Sequence, residues 1–235
     1  MILPNIILPE LVNHYCETSG VDTYEHCFNK SHFKAYPYKV TYQYNSRGFR
    51  DKEWPSNLQD CIWCVGDSFT VGLGTIFENT WTQVLSKVSN KPVINISMDG
   101  ASNQWISRKC IEIIKEINPS NMVIMWSYAH RRESNNATIT DLERRMHYKA
   151  YQTEFDDCMT FNVCLNSVVR HARGNLIHFT VPNAVNFSNT MPYIFKKVKN
   201  FIGEVDILDF ARDGWHFDVK SSEKIVNQIL PLLTE

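Results

Sequence analysis

The stretch Cys61-Ile62-Trp63-Cys64-Val65-Gly66-Asp67-Ser68-Phe69-Thr70 joins a short apolar run to a glycine and then to small polar residues. The apolar run predicts a buried strand, and Gly66 marks its end. Val71-Gly72-Leu73-Gly74 follows directly. Ser68 is therefore expected in a tight turn after a strand, where its side chain and its backbone N–H can face the same space.

Outward from this stretch, apolar runs alternate with segments whose apolar residues recur at helical spacing. The expected strands are 61–65, 92–96, 121–126, 175–180 and 205–208, and the expected helices are 79–89, 103–117, 141–173 and 221–233. Continuously apolar strands suit a parallel sheet that is covered on both faces. The pattern predicts an α/β fold with a mainly parallel sheet and right-handed crossovers.

The first 58 residues differ from the rest, being aromatic and polar with many turn formers and weak periodicity. We expect 1–58 to be an N-terminal extension packed on a main domain, 59–235. A lid, a dimer contact and plain packing are all open roles for it, and the oligomeric state is open too.

The overall charge argues against polyanionic partners. Lys plus Arg is 24 and Asp plus Glu is 25, for a net charge of −1, so neither nucleic acid nor an anionic membrane is an expected partner. The N-terminus lacks a cationic region, and Pro4, Pro9 and Glu10 interrupt its apolar residues, so no signal peptide is expected. No apolar run is long enough to span a bilayer, and we expect a cytoplasmic protein.

The seven cysteines, an odd number, are expected to be free thiols. Cys61 and Cys64 form a C-x-x-C pair, but in a predicted strand rather than at a helix start, which favours buried cysteines over a redox site. The spacing of Cys158 and Cys164 is poor for zinc, and the histidines lack a ligand spacing. No metal and no cofactor are expected.

Chemically useful residues follow the predicted strands, as functional residues do in parallel sheets. A serine hydroxyl is a weak nucleophile that needs an adjacent base. Ser68 has two other interpretations, a helix cap and part of a phosphate cradle with Gly72 and Gly74. A P-loop needs Gly-Lys-Ser/Thr, which is missing, and the third glycine of a dinucleotide fingerprint is replaced by Phe77.

A candidate base lies near the other end of the chain, in Asp213-Gly214-Trp215-His216. A carboxylate three residues before an imidazole can accept from Nδ1–H and leave Nε2 free to take the serine proton. Gly214 gives the loop freedom to turn. A solvated loop before a helix is the alternative, but the combination with Ser68 predicts a Ser-His-Asp triad.

The set of motifs resembles the SGNH/GDSL hydrolase superfamily over residues 60–235, through Gly66-Asp67-Ser68-Phe69-Thr70, Gly100 in the segment 95–103, and Asp213-Gly214-Trp215-His216. The segment 45–50 also resembles a motif that precedes the first block in some relatives. The resemblance implies a flavodoxin-like three-layer α/β/α fold and cofactor-free ester hydrolysis. It also implies that the N–H groups of Ser68 and Gly100 face the oxyanion, while Asp67 stabilises the turn.

The family's third block, Gly-x-Asn-Asp, is missing, and 126–133 reads Trp-Ser-Tyr-Ala-His-Arg-Arg-Glu instead. Some members carry Trp-Ser/Thr…Arg-x-Glu here, which Arg131 and Glu133 fit. Ser127, Arg131 and Asn103 are candidates for the missing oxyanion donor. The alternative is an oxyanion hole with only two backbone donors, which would lose about 3 kcal/mol of transition-state stabilisation.

Substrate contacts are expected from Ser127, Arg131 and Trp215. Arg131 could hold a carboxylate or phosphate of the substrate, or instead pair with Glu133 or another surface acid. Trp126, Trp215 and Phe217 could line an apolar or sugar-stacking pocket, or pack in the core.

The expected function is therefore a serine esterase acting on small acyl groups, with acetyl esters of carbohydrates as one candidate substrate. An O-acyltransferase would use the same triad. A binding module that kept the fold without catalysis is the third interpretation, and a metal-dependent phosphoesterase lacks the His and Asp clusters it needs.

Overall fold

The computed structural model describes residues 6–133, 153–184 and 194–234. The strands of this part are β1 (Tyr15–Cys16), β2 (Tyr42–Gln43), β3 (Ile62–Gly66), β4 (Val93–Ser97), β5 (Asn121–Trp126), β6 (Asn175–Thr180) and β7 (Phe201–Glu204). The α-helices are α1 (Lys30–Ala35), α2 (Ser68–Val71), α3 (Trp81–Ser89), α4 (Asn103–Glu116), α5 (Glu154–His171) and α6 (Val219–Ile229). Short 3₁₀ turns lie at Pro9–Leu11, Phe77–Asn79 and Leu230–Leu232.

The main sheet has five parallel strands in the order β4-β3-β5-β6-β7. The chain enters at β3, adds β4 on one side and then returns to add β5 on the other. This is the flavodoxin-like strand order, and its switch point lies between β3 and β5. Ligands of such sheets bind at the carboxyl ends of the strands beside the switch point, which is where β3 delivers Ser68.

Two apolar cores cover the two faces of the sheet, so the expected three-layer α/β/α fold is confirmed. Trp63 and Val65 of β3 pack in the core under α4 and α5, while Ile62 and Cys64 pack in the core under α3 and α6. Cys61 belongs to the first core and Cys64 to the second, so the two thiols of the C-x-x-C pair face apart. All seven cysteines are free, as predicted.

Most elements lie within two or three residues of their predicted bounds, but the last strand was predicted too late. The sequence indicated 205–208, whereas β7 is Phe201–Glu204, and Val205 only continues its pairing through N–H to the Thr180 carbonyl. β7 is an edge strand with half-buried residues and a register shift, so its hydrophobic pattern is weak. Of the helix predicted at 141–173, the part before 153 lies outside the described residues.

The N-terminal segment packs on the α/β unit at several places. Val40, Tyr42 and Tyr44 form a third apolar cluster with Val71 and Leu73, which follow Ser68 in the chain. Ile6, Leu8 and Phe49 join the core under α4 and α5. The segment thus surrounds the turn that carries the predicted nucleophile.

One contact of this segment engages a backbone donor at the edge of the sheet. Asp51 accepts a 2.9 Å hydrogen bond from the backbone N–H of Asn95, in the edge strand β4. This leaves one backbone donor fewer through which the edge strand could pair with another chain. None of the helices in the described part of the chain is both long and apolar enough to cross a membrane.

Candidate active site

Ser68 is the first residue of α2, and only Asp67 separates it from the end of β3. A Cβ on Gly66 would lie 2.0 Å from Thr70 Oγ1, so a glycine is required for α2 to turn back tightly over the strand. Asp67 Oδ1 accepts from the Phe69 N–H at 3.1 Å and caps the helix, the turn-stabilising role expected of it. The strand-to-helix turn fixes the position of Ser68.

Ser68, His216 and Asp213 lie together in a hydrogen-bonded chain. Ser68 Oγ is 2.9 Å from His216 Nε2, and His216 Nδ1 is 2.6 Å from Asp213 Oδ2. The other carboxylate oxygen of Asp213 accepts from the N–H groups of Trp215 (2.8 Å) and His216 (2.9 Å). All three side chains are buried.

The environment of Asp213 favours its ionised form. Burial opposes ionisation, but the hydrogen bonds and positive charge of His216, with the two backbone donors, lower the pKa of Asp213 below its ordinary value. A carboxylate at this point holds the Nδ1–H tautomer of His216 and leaves Nε2 as an acceptor for the Ser68 proton.

The loop that carries Asp213 and His216 is closed on itself. Ala211 N–H donates to the His216 carbonyl at 2.8 Å, and Gly214 N–H donates to the Ala211 carbonyl at 2.9 Å. Gly214 has a φ of 69°, which a glycine adopts at little cost. The His216 ring packs against Phe69, with 4.4 Å between ring centroids. These contacts hold the imidazole at a fixed tilt beside Ser68.

Ser127 and Arg131 lie behind the nucleophile turn and contact Asp67. Ser127 Oγ donates to Asp67 Oδ2 at 2.6 Å, and Arg131 Nη1 donates to the same oxygen at 2.7 Å and to Ser127 Oγ at 2.9 Å. Ser127 is completely buried and Arg131 nearly so. The alternative of a surface ion pair for Arg131 was wrong, because its partner is the buried Asp67 and Glu133 pairs with Arg108 instead.

Gly100 was expected to donate to the oxyanion through its backbone and Asn103 through its side chain, and the two residues differ in their surroundings. Gly100 has a φ of 68° in the turn after β4, and this turn is tied to the end of β3 by Met98 N–H donating to the Gly66 carbonyl at 3.4 Å. Asn103 is engaged at both ends of its amide: Nδ2 donates to the carbonyls of Ser127 (2.9 Å) and Tyr128 (3.4 Å), and Oδ1 accepts from Ser127 N–H at 2.8 Å. Asn103 therefore ties α4 to the end of β5 instead of offering a free donor.

The aromatic candidates separate into buried and exposed side chains. Trp126 and Phe217 are core residues, and Trp126 Nε1 donates to His178 Nδ1 at 3.1 Å, so of the two alternatives left open by the sequence, core packing holds for these two. Trp215 is 42% exposed and lies 5.3 Å from the ring of Phe28, which is 74% exposed. An exposed aromatic pair therefore stands one residue from His216.

The glycines after Ser68 allow a close approach between two loops. A Cβ on Gly74 would lie 3.0 Å from Ala211 Cβ and 3.1 Å from the backbone nitrogens of Arg212 and Asp213. Gly74 packs against the loop of Asp213, which accounts for it without a phosphate. In the described part of the chain, no cluster of three or more His, Cys, Asp or Glu side chains is placed to hold a metal.

Sequence reasoning missed the residues through which the N-terminal segment contacts this site. Arg50 is buried and donates to the carbonyls of Val71 (3.1 Å) and Thr75 (2.8 Å), on either side of the turn after α2. Phe28 N–H donates to the Asp213 carbonyl at 2.8 Å. Only Arg50 carried a signal, since it ends the 45–50 motif that resembles some SGNH relatives.

Known structures share this architecture. A protein of the G-D-S-L family from Desulfitobacterium hafniense DCB-2 superimposes with a TM-score of 0.51 at 16% identity, over 74% of this chain and 99% of that one. A family two carbohydrate esterase from Clostridium thermocellum, solved in complex with cellohexaose, gives a TM-score of 0.52 at 10% identity, over 77% of this chain and 65% of that one.

At these identities the likeness shows the fold alone: the chain has the α/β/α fold of the SGNH/GDSL hydrolases. No protein-family model matches the sequence, and no curated protein is similar to it in sequence.

Proposed function

We propose that this protein is a serine esterase whose nucleophile is Ser68, with His216 as the general base and Asp213 as its orienting carboxylate. The single observation that carries the proposal is the unbroken chain of hydrogen bonds from Ser68 Oγ through His216 to Asp213, at 2.9 Å and 2.6 Å. These contacts support assigning the three side chains as nucleophile, base and orienting group, the order that acyl transfer requires.

In the proposed reaction, Ser68 Oγ attacks the ester carbonyl as its proton moves to His216 Nε2. The imidazolium, stabilised by Asp213, then gives this proton to the leaving alcohol as the ester bond breaks. Water next attacks the acyl-enzyme, giving its proton to His216. The bond between the acyl carbon and Ser68 Oγ then breaks, His216 returns the proton to Oγ, and the acid product leaves. The backbone N–H groups of Ser68 and Gly100 are the proposed oxyanion donors.

Arg131 is proposed to act electrostatically and not as a substrate contact. The Asp67 carboxylate lies next to Ser68 in the chain, where a free negative charge would oppose the negative charge that develops on the substrate oxygen. The guanidinium of Arg131, 2.7 Å away, compensates it. Ser127, which bonds to both, completes this compensated cluster.

For the substrate, we propose a small acyl ester of a carbohydrate, such as an O-acetyl sugar. The exposed rings of Trp215 and Phe28 beside His216 offer a surface for the apolar face of a sugar in the leaving group. The carbohydrate esterase with the same fold makes this substrate class a reasonable one to test first.

The direct test is labelling with a fluorophosphonate probe, which reacts with activated serines. The wild-type protein is expected to be labelled and to release acetate from an acetylated sugar, and Ser68→Ala is expected to do neither. Ser31→Ala, which removes an exposed hydroxyl on α1, is the matched control and should behave as wild type. Absence of labelling in the correctly folded wild-type protein would overturn the proposal.

A further inference from the structure

A buried carboxylate outside the triad joins three parts of the chain. Asp22 has no solvent exposure. It accepts from Arg212 Nε at 2.9 Å, from Arg212 Nη2 at 2.6 Å and from the Tyr42 hydroxyl at 2.6 Å. Residue 22 of the N-terminal segment, strand β2 later in the same segment and the loop of Asp213 therefore meet at one carboxylate.

The same connection reaches the turn that follows Ser68. Tyr42 Oη accepts from the Gly74 N–H at 2.8 Å, and the Arg212 N–H donates to the Gly74 carbonyl at 3.0 Å. The four residues Asp22, Arg212, Tyr42 and Gly74 form a closed ring of hydrogen bonds, which we call the Asp22 ring. The ring connects the loop after the nucleophile, through Gly74, to the residue just before Asp213, which is Arg212.

The chemistry of the Asp22 ring keeps its donors and acceptors fixed. Burial, and then the negative charge of Asp22, raise the pKa of Tyr42 well above its ordinary value, so its hydroxyl stays protonated and donates to Asp22. Arg212 is always charged and binds the carboxylate through two nitrogens, the geometry in which an arginine fixes orientation best. Removing the buried charge of Asp22 leaves the Arg212 guanidinium without its compensating carboxylate.

We propose that Asp22 is a positioning residue, which through Arg212 and Tyr42 holds the loop of Asp213 and His216 in register with Ser68. The inference rests on the proposed function, because the geometry it maintains is that of the proposed triad. It also gives the N-terminal segment a role: the segment supplies both Asp22 and Tyr42 to the two loops that a triad must align.

The test compares Asp22→Asn with wild type in fluorophosphonate inactivation and in amide hydrogen exchange. We expect the maximal inactivation rate of Asp22→Asn to fall about 10- to 100-fold, with the half-saturating probe concentration unchanged, because misplacement by a fraction of an ångström slows the chemical step. The amides of Gly74 and Arg212 should exchange faster. Glu25→Gln, an exposed acid in the same segment, is the matched control and should change neither measurement.

Other outcomes distinguish a failure of the positioning role from a failure of the proposed function. If Asp22→Asn is folded and reacts at the wild-type rate, or if it keeps its amide protection, the positioning role is wrong. If wild type is not labelled, the proposed function fails, and the exchange of Gly74 and Arg212 alone decides whether Asp22 holds the loops together. If Asp22→Asn does not fold, Tyr42→Phe, which removes only the bridging hydroxyl, is judged by the same two measurements.

Discussion

Asp67 and Arg131 form a buried ion pair directly behind the proposed nucleophile, with 2.7 Å between Arg131 Nη1 and Asp67 Oδ2. Arg131→Met keeps the apolar stem and leaves the Asp67 carboxylate buried without its charge partner. We expect a loss of about 3–5 kcal/mol in the free energy of unfolding, measured with urea. The folded fraction of the variant should also react more slowly with fluorophosphonate.

The chain contains a matched control for this pair. Arg108 and Glu133 are joined at 2.5 Å, but their side chains are 47% and 37% exposed. Arg108→Met should cost about 1 kcal/mol or less, because water and salt screen an exposed pair. Equal losses for the two variants would contradict the special role of the Asp67–Arg131 pair.

The contact between Asp213 and His216 predicts a large effect on rate. Asp213→Asn keeps the shape of the side chain but no longer stabilises the Nδ1–H tautomer or the imidazolium. We expect esterase activity to fall about 10⁴-fold, measured as kcat on an acetyl ester. Asp206→Asn, a surface acid paired with Lys224, should leave kcat unchanged. A drop of less than tenfold for Asp213→Asn would argue against the triad.

The pair Phe28 and Trp215 predicts selectivity for the leaving group. Phe28→Ala and Trp215→Ala should each raise KM for an acetylated sugar about tenfold, or about 1.4 kcal/mol, while changing KM for ethyl acetate little. Phe155→Ala removes another exposed aromatic ring, from α5, and serves as the control. If both substrates lose affinity equally, the rings do not select a sugar.

The raised pKa of the buried Asp51 carboxyl makes the free energy of unfolding depend on pH. Burial raises the pKa of Asp51 from 3.8 to about 7, although the N–H groups of Asn95 and Lys52 oppose this. Between these two values the folded state holds a proton that the unfolded chain has lost, so this stabilising contribution disappears as pH rises through the interval.

Asp51→Asn should therefore flatten the slope of unfolding free energy between about pH 4 and pH 7, by at most about 4 kcal/mol in total. Urea titrations across this range measure the slope, independently of any uniform loss from the altered hydrogen bonds. Asp60→Asn, at an exposed site, should keep the wild-type slope. An unchanged slope in Asp51→Asn would show that Asp51 is ionised throughout.

The sheet could be read from the sequence where strands are buried on both faces. β3, β4, β5 and β6 are mainly apolar runs, which in an alternating α/β pattern are typical of the central strands of a parallel sheet. β7 was misplaced because an edge strand is half-exposed and Gly203 interrupts it. The sequence left two interpretations of Trp126 open, since a strand end does not reveal whether its side chain faces a core or a pocket; the structure places it in the core.

The sequence by itself determined the α/β pattern and brought forward Ser68, Asp213 and His216 as a set. Within each motif the signal is local: a strand followed by a turn, and a carboxylate three residues from an imidazole, both encode their geometry in short spacings. The grouping of Ser68 with His216, 148 positions away, came instead from the resemblance of the ordered motifs to the SGNH/GDSL superfamily. Tertiary structure alone decided the partners of Arg131, Asn103 and Asp22. Arg131 meets Asp67 across 64 positions, and Arg212 meets Asp22 across 190. No spacing in the chain encodes such pairs, because they exist only after the sheet and the N-terminal segment have packed.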